Sequence, residues 1–150
     1  MYITSQMKIY LDNCCYNRPF DDQTQLRISL ETQSKLFIQT LIVNEKVELV
    51  WSYILTLENI KNPYENKSLS IVRFSEYAKI NIIESDSLLK KANEIARYGI
   101  KNADSLHIAC AIEASADCFI TTDIRLLKYK TDNVRIVNPI QFVLEWEKED

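Results

Sequence analysis

Residues 102–123, NADSLHIACAIEASADCFITTD, contain a complete helix–strand unit. Asn102 is a suitable cap for a helix that we expect over residues 103–114, because its side-chain oxygen can accept a hydrogen bond from the first turn. The short apolar run at residues 118–121 predicts a buried strand. An acid stands near each end of the unit, with Asp104 in the first helical turn and Asp123 just after the strand. A helix that leads directly into a buried strand is typical of a parallel sheet.

The same alternation of strand and helix extends along the rest of the chain. We expect the other strands at residues 8–11, 47–51, 79–83 and 134–137. We expect the other helices at residues 22–44, 53–59, 69–78, 86–98, 123–129 and 139–146. Ser52 and Ser85 are suitable N-caps, and Gly99 is a suitable helix terminator. This order predicts an α/β fold with a central parallel five-stranded sheet covered on both faces, and 150 residues fit one domain, 1–150.

The composition indicates a soluble protein. No apolar run is long enough to span a bilayer, and residues 1–8 lack the basic-then-apolar pattern of a secretory signal. The four cysteines have no C-x-x-C spacing. We interpret them as reduced thiols, with Cys110 and Cys118 as small buried hydrophobic residues. These features favour a cytoplasmic location without membrane contact.

The charged residues limit the classes of function. The net charge of −3 disfavours a binding-only nucleic-acid module, which usually carries a basic surplus. It disfavours an enzyme less, because an acidic metal site lowers the net charge while a local basic rim still holds phosphate. His107 is the one histidine, which argues against a His-rich metal site and against Ser-His or Cys-His catalysis.

Four acids are expected at the same edge of the sheet. Asp12 directly follows the first strand and Asp123 follows the fourth. Asp104 begins the helix that leads into the fourth strand, so it lies at the carboxyl edge as well. Glu58 lies on the helix that leaves the second strand, on the face that we expect to point towards the sheet. Ligands of open parallel sheets bind beyond the carboxyl ends of the strands.

The chemistry of four carboxylates indicates a divalent cation. Without a partner they would repel one another, and some would have to protonate. Mg²⁺ and Mn²⁺ prefer oxygen ligands, and such an ion both activates water and neutralises a phosphate. Taken singly, each acid also has a structural interpretation: Asp12 and Asp123 as turn or cap residues, Asp104 as a favourable charge at a helix start, and Glu58 as a solvated position. Only their joint placement favours phosphodiester hydrolysis.

The chain resembles the PIN-domain family, which includes the VapC-like ribonuclease toxins of bacterial toxin–antitoxin pairs. The resemblance covers nearly the whole chain from Met7 onward. It rests on four segments in order, namely Ile9-Tyr10-Leu11-Asp12, Leu55-Thr56-Leu57-Glu58-Asn59, Gly99-Ile100-Lys101-Asn102-Ala103-Asp104-Ser105-Leu106-His107-Ile108-Ala109 and Phe119-Ile120-Thr121-Thr122-Asp123. The third and fourth segments are the most specific.

The resemblance implies a three-layer α/β/α sandwich and RNA cleavage that depends on Mg²⁺ or Mn²⁺. Asp12, Glu58, Asp104 and Asp123 match the family's acidic catalytic positions. Asp12 and Asp104 would be direct metal ligands, while Glu58 and Asp123 would act through water. The Thr122 hydroxyl would orient a carboxylate or a water molecule. The resemblance also implies an antitoxin protein and a homodimer as partners.

The segment after the first acid departs from many relatives, which have Thr or Ser there. This chain has Asn13, Cys14 and Cys15 instead, and Asn13 could supply a supporting hydrogen bond.

Basic side chains near the acidic segments are candidate RNA contacts. These are Arg18, Arg97, Lys101 and Arg125, with Lys128 beside them. For each one, solvated surface charge is the alternative, and the segment that carries Arg18 has the composition of a plain loop. For His107 we favour a packed, hydrogen-bonded position over a catalytic one.

Two other functions compete with the nuclease. One is a catalytically weak PIN-like module whose partner is a protein; retention of all four acids favours the enzyme. The other is a phospho-receiver domain, which normally needs paired acids after its first strand and a lysine after its fifth. Here Asn13 follows Asp12, and Asn138-Pro139 follows the fifth strand.

Overall fold

The computed structural model describes residues 6–149 of the chain, so the expectation about residues 1–8 lies largely outside the described residues. Five strands form one parallel sheet in the order β3-β2-β1-β4-β5. Their bounds are Lys8–Leu11 (β1), Glu48–Ser52 (β2), Ile80–Ile82 (β3), Cys118–Ile120 (β4) and Arg135–Val137 (β5). The chain moves outward from β1 in one direction to β2 and β3 and in the other to β4 and β5. The switch point therefore lies between β1 and β4, where a crevice is expected.

Helices cover the sheet in the predicted three-layer α/β/α arrangement. They are Asn13–Asn17 (α1), Leu26–Val43 (α2), Tyr53–Ile60 (α3), Glu65–Ser75 (α4), Asp86–Ala96 (α5), Asn102–Glu113 (α6), Ile124–Leu127 (α7) and Pro139–Glu149 (α8), with a short 3₁₀ helix at Arg18–Phe20. Helix α2 packs against α8, and α5 packs against α6. In the described part of the chain, no helix is long and apolar enough to cross a membrane.

The core is centred on β1 and β4. Ile9 and Leu11 of β1 and Ile120 of β4 are fully buried. Tyr10 stacks on Phe119 across the two strands, with ring centroids 5.4 Å apart. Central parallel strands covered on both faces are expected to be apolar throughout, and this burial explains why both segments are continuous apolar runs.

The predicted serine caps are confirmed, whereas α5 ends at Ala96, two residues before the predicted end. The Ser52 and Ser85 hydroxyls accept hydrogen bonds from the backbone of Leu55 and Leu88, so both cap their helices. Gly99 follows α5 with φ +85°, a left-handed conformation that glycine adopts without strain.

Three local predictions are wrong, and one helical segment was missed. The helix expected from residue 22 begins at Leu26, because the Asp22 carboxylate accepts a hydrogen bond from Thr24 N at 3.0 Å and forms a turn. The helix expected over residues 69–78 spans Glu65–Ser75. Asn102 is the first residue of α6, and Lys101 occupies the cap position without a side-chain hydrogen bond. The segment from Asn13 to Phe20 was not predicted to be helical, yet it forms α1 and the 3₁₀ helix.

The cysteines are all free thiols, as predicted. Cys110 and Cys118 are buried, as expected for small hydrophobic residues.

Candidate active site

Asp12 is the most firmly held of the four acids. It caps α1 directly after β1, and its backbone N–H donates to the carbonyl of Ile120 at 2.9 Å. Asp12 is a buried residue, with 5% of its surface exposed. Oδ1 accepts a hydrogen bond from Asn13 N at 2.8 Å, and Oδ2 accepts one from the Thr121 hydroxyl, also at 2.8 Å. These two donors therefore fix the orientation of the Asp12 carboxylate.

Thr121 has a role that sequence reasoning missed. Leu11 of β1 is paired with Ile120 of β4, so the next residues of the two strands, Asp12 and Thr121, also lie side by side. The Thr121 hydroxyl donates to Asp12 and accepts a hydrogen bond from Asp123 N at 3.1 Å. It thereby links two of the acids. The strand register was the signal that could have identified it.

The residues around Thr121 include two others that the sequence singled out. Thr122, for which we predicted a hydroxyl role, contributes its carbonyl, which accepts a hydrogen bond from Arg27 Nη2 at 3.0 Å. The role of its hydroxyl stays a prediction. Cys14 stands where relatives were expected to carry a hydroxyl residue, and its thiol donates to Asp12 Oδ2 at 3.4 Å. The thiol thus partly replaces that hydroxyl as a weak donor.

Asp104 lies near Asp12 and Asp123. It is half-buried in the first turn of α6. Burial raises the pKa of its carboxyl, and the negative charges of Asp12 and Asp123 raise the pKa further, against the opposing effects of His107 and Arg125. Their effect on Asp104 indicates that Asp12 and Asp123 lie close to it.

Asp123 caps α7 and is paired with Arg125. Its Oδ1 accepts a hydrogen bond from Arg125 N at 2.9 Å, and its Oδ2 lies 3.2 Å from the Arg125 guanidinium. Burial alone would raise the pKa of Asp123, but the hydrogen bonds from Arg125 lower it. Arg125, a predicted RNA contact, is therefore anchored at the acidic site while its side chain stays 68% exposed.

Glu58 reaches this site through His107. The His107 Nε2 is hydrogen-bonded to a Glu58 carboxylate oxygen. Its Nδ1 lies 2.6 Å from the Tyr10 hydroxyl, which lies 2.7 Å from the Ser52 hydroxyl. His107 is thus a buried, hydrogen-bonded histidine, as we favoured.

The charge on His107 is set by the acids around it. Burial lowers the pKa of His107, but the hydrogen bond to Glu58 and the charges of Asp12, Glu58 and Asp104 together raise it above the ordinary value. A protonated imidazole would hold Glu58 in place and partly compensate the acidic charge.

A buried acid that the sequence did not reveal supports the loop after β4. Glu31 of α2 is 0% exposed. Its carboxylate accepts hydrogen bonds from Arg18 Nε at 3.1 Å, Arg27 Nε at 3.3 Å and Asn138 Nδ2 at 2.6 Å. Arg27 in turn holds the carbonyl of Thr122. The network therefore connects α2 to the loop that carries Asp123.

This network also accounts for Arg18. Its guanidinium contacts Glu31 at 3.0 Å and Asp21 at 2.9 Å. These contacts give Arg18 a structural role, and its contact with RNA stays a prediction.

The other predicted basic contacts lie on the surface. Lys101 and Arg125 line a cleft of about 420 Å³ that also includes Asp104, together with Lys128 and Lys130. Arg97 is exposed just after α5.

The acids do not form a closed metal cage. Within residues 6–149, no group of three or more His, Cys, Asp or Glu side chains is arranged to hold a metal ion. A Mg²⁺-type site needs few protein ligands, because one or two carboxylates can bind the ion while water and phosphate complete the coordination. The all-oxygen donors of Asp12 and Asp104 fit such an ion.

Comparison with known proteins establishes the fold and the family of the chain. In fold, the chain is similar to a chain in the crystal structure of VapBC2 from Rickettsia felis bound to a DNA fragment from their promoter, with a TM-score of 0.56 and 18% sequence identity. The alignment covers 88% of this chain and 98% of that chain. No curated protein matches the chain in sequence. The family model of the PIN domain matches residues 9–131, which include all four acids. The chain therefore belongs to the PIN-domain family.

Proposed function

We propose that this protein is a divalent-metal-dependent endoribonuclease that acts as the toxin of a toxin–antitoxin pair. The observation that carries the proposal is the Thr121 hydroxyl, which links Asp12 to the backbone of Asp123 at the switch point of the sheet, beside Asp104, whose pKa both charges raise. A carboxyl whose pKa is raised by burial and by neighbouring negative charges, as that of Asp104 is, is typical of a functional site. Family membership supports nuclease chemistry at this position.

The four acids have different parts in this proposal. Asp12 and Asp104 bind Mg²⁺ or Mn²⁺ directly, and Glu58 and Asp123 act through water. When bound, the cation lowers the pKa of water and neutralises charge on the phosphate. The Thr121 hydroxyl and the Asn13 N–H keep both Asp12 oxygens oriented.

The remaining contacts would position the substrate. Arg125 is held by Asp123 at the edge of the site and directs a positive charge to solvent, where it can contact a phosphate. His107 restrains Glu58, so this carboxylate has one oxygen engaged and one free for water.

The test is cleavage of RNA by matched variants. Asp12→Asn and Asp104→Asn should each reduce metal-dependent cleavage by at least about a hundredfold, because each removes a charge that binds the cation while retaining the side-chain shape. Asp132→Asn is the control, and this variant should cleave RNA normally. Asp132 is exposed in the loop before β5, at the opposite edge of the sheet.

Circular dichroism and a thermal melt of each variant establish that it is folded. Undiminished cleavage by folded Asp104→Asn would refute the assignment. Equal cleavage of DNA of the same sequence would refute the preference for RNA, which requires recognition of the 2′-hydroxyl.

The proposed partners are an antitoxin protein and a second copy of this chain. One solved structure with a similar fold is a VapBC complex, and we infer an equivalent arrangement here, acting on RNA in the cytoplasm. Co-expression with the product of a small adjacent gene should yield a complex without RNA cleavage. A folded, metal-loaded protein that binds this partner but never cleaves RNA would instead support the alternative, a catalytically weak interaction module.

A further inference from the structure

The cleft beside Asp104 is strongly basic, although the whole chain is not. It has a volume of about 420 Å³ and lies between the end of α5 and the segment that follows α7. Its charged lining consists of four cations and a single acid, namely Lys101, Arg125, Lys128, Lys130 and Asp104. The net charge of the chain is −3. Positive charge is therefore concentrated where a polyanion would reach the acidic site.

Two tyrosines add aromatic surface to the same cleft. The rings of Tyr98 and Tyr129 have centroids 5.9 Å apart and planes inclined at 47°. Tyr98 is 76% exposed, so most of its ring is open to solvent. An isolated exposed tyrosine is ordinary, but here the ring adjoins four cations and a candidate metal ligand. Aromatic faces within a basic groove are the features with which proteins bind unpaired bases.

The turn between α5 and α6 brings these groups together. Gly99 has φ +85°, and the space next to its Cα is open, since an added Cβ would meet no atom within 4 Å. The turn places Tyr98, before Gly99, and Lys101, after it, on the same cleft. An aromatic ring and a cation thus line the same cleft.

We propose that this cleft binds single-stranded RNA next to the scissile phosphate, with an unpaired base stacked on Tyr98 and phosphates on Lys101, Lys128 and Lys130. The inference rests on the proposed nuclease function and adds to it a subsite for one base of the substrate, on Tyr98. A base inside a duplex already has both faces stacked and cannot offer one to Tyr98. An acidic peptide would contact the cations but would gain little affinity from the Tyr98 ring.

The binding test distinguishes base stacking on the Tyr98 ring from the general effect of changing an exposed side chain. A fluorescent single-stranded RNA of about 12 nucleotides, within the range that such grooves cover, is titrated with protein in EDTA, so that no metal-dependent cleavage occurs. Tyr98→Ala should weaken binding about tenfold, near the lower end of what base stacking contributes. Tyr98→Phe keeps the face and should bind within about twofold of the parent. Tyr77→Ala, a control at an exposed tyrosine that lines a different cavity, should bind normally.

Duplex RNA and salt dependence complete the test. Binding of a duplex of the same length should be unchanged by Tyr98→Ala. Lys128→Gln should lower the slope of log affinity against log salt by about 0.7, the value for one phosphate of a single strand.

The outcomes separate this inference from the proposed function. If the parent cleaves RNA and Tyr98→Ala binds as tightly as the parent, the stacking site is refuted and the nuclease stands. If Tyr98→Ala loses affinity but no metal ion supports cleavage by the parent, the cleft stands and the nuclease fails. Equal losses in Tyr98→Ala and Tyr98→Phe would also refute stacking. The same would follow if an acidic peptide bound as tightly as the RNA and with the same dependence on Tyr98.

Discussion

Glu31→Gln should destabilise the protein strongly, although Glu31 lies outside the proposed catalytic residues. Glu31 is 0% exposed and accepts hydrogen bonds from Arg18, Arg27 and Asn138. Glutamine preserves the volume but removes the charge, and its NH₂ group would face side chains that are themselves donors. The two arginines would then lose their charged acceptor, and at least one donor would lack a partner.

The magnitude follows from the burial of the partners. Removing one member of a buried ion pair costs about 3–5 kcal/mol. The lower end applies here, because the Arg27 side chain is 46% exposed and Arg18 keeps its contact with Asp21. A loss of about 3 kcal/mol in a chain of this size lowers the melting temperature by about 2–4 °C per kcal/mol, or roughly 6–12 °C in total.

The assay is thermal and urea unfolding followed by circular dichroism, with a matched control. Glu45→Gln makes the same chemical change at a side chain that is 71% exposed and paired with Lys79, which is 55% exposed. It should alter stability by less than about 0.5 kcal/mol. A melting temperature for Glu31→Gln within about 2 °C of the parent would refute the reasoning, since that shift corresponds to less than about 1 kcal/mol.

Two further predictions concern the acidic site and the thiols. In chelator, Asp104→Asn should be at least as stable as the parent, because it removes a charge that Asp12 and Asp123 repel. Millimolar Mn²⁺ should stabilise this variant less than the parent in thermal melts. The parent should gain roughly 2.7 kcal/mol in its free energy of unfolding when the Mn²⁺ concentration is a hundred times the dissociation constant. Equal gains in the two proteins would mean that Asp104 is not a ligand. Iodoacetamide at pH 8 should label Cys14 first. Burial raises the pKa of the Cys110 thiol to about 12, and it also raises the pKa of the other buried thiols, so these react more slowly. Mass spectrometry before and after urea checks this, and equal labelling rates in the folded protein would contradict it.

Local patterns in the sequence were sufficient for the outline of the fold. Short apolar runs that alternate with helical segments predict a parallel sheet, and the Ser52 cap and the Gly99 turn depend on neighbours within a few residues. The position of Asp12 and Asp123 at one edge follows equally from the strands that precede them. In a parallel sheet, all strands end at the same side, so the acids meet without knowledge of the side-chain packing.

Contacts between distant segments were decided by the tertiary structure alone. The hydroxyl that orients Asp12 belongs to Thr121, which is 109 residues away in sequence, and only the register of β1 with β4 distinguishes it from Thr122. Glu31 looks like an ordinary polar position of a helix, but its partner Asn138 is 107 residues away. Periodicity and capping depend on neighbours a few residues apart, whereas burial of a charge depends on which remote donors the fold brings to it.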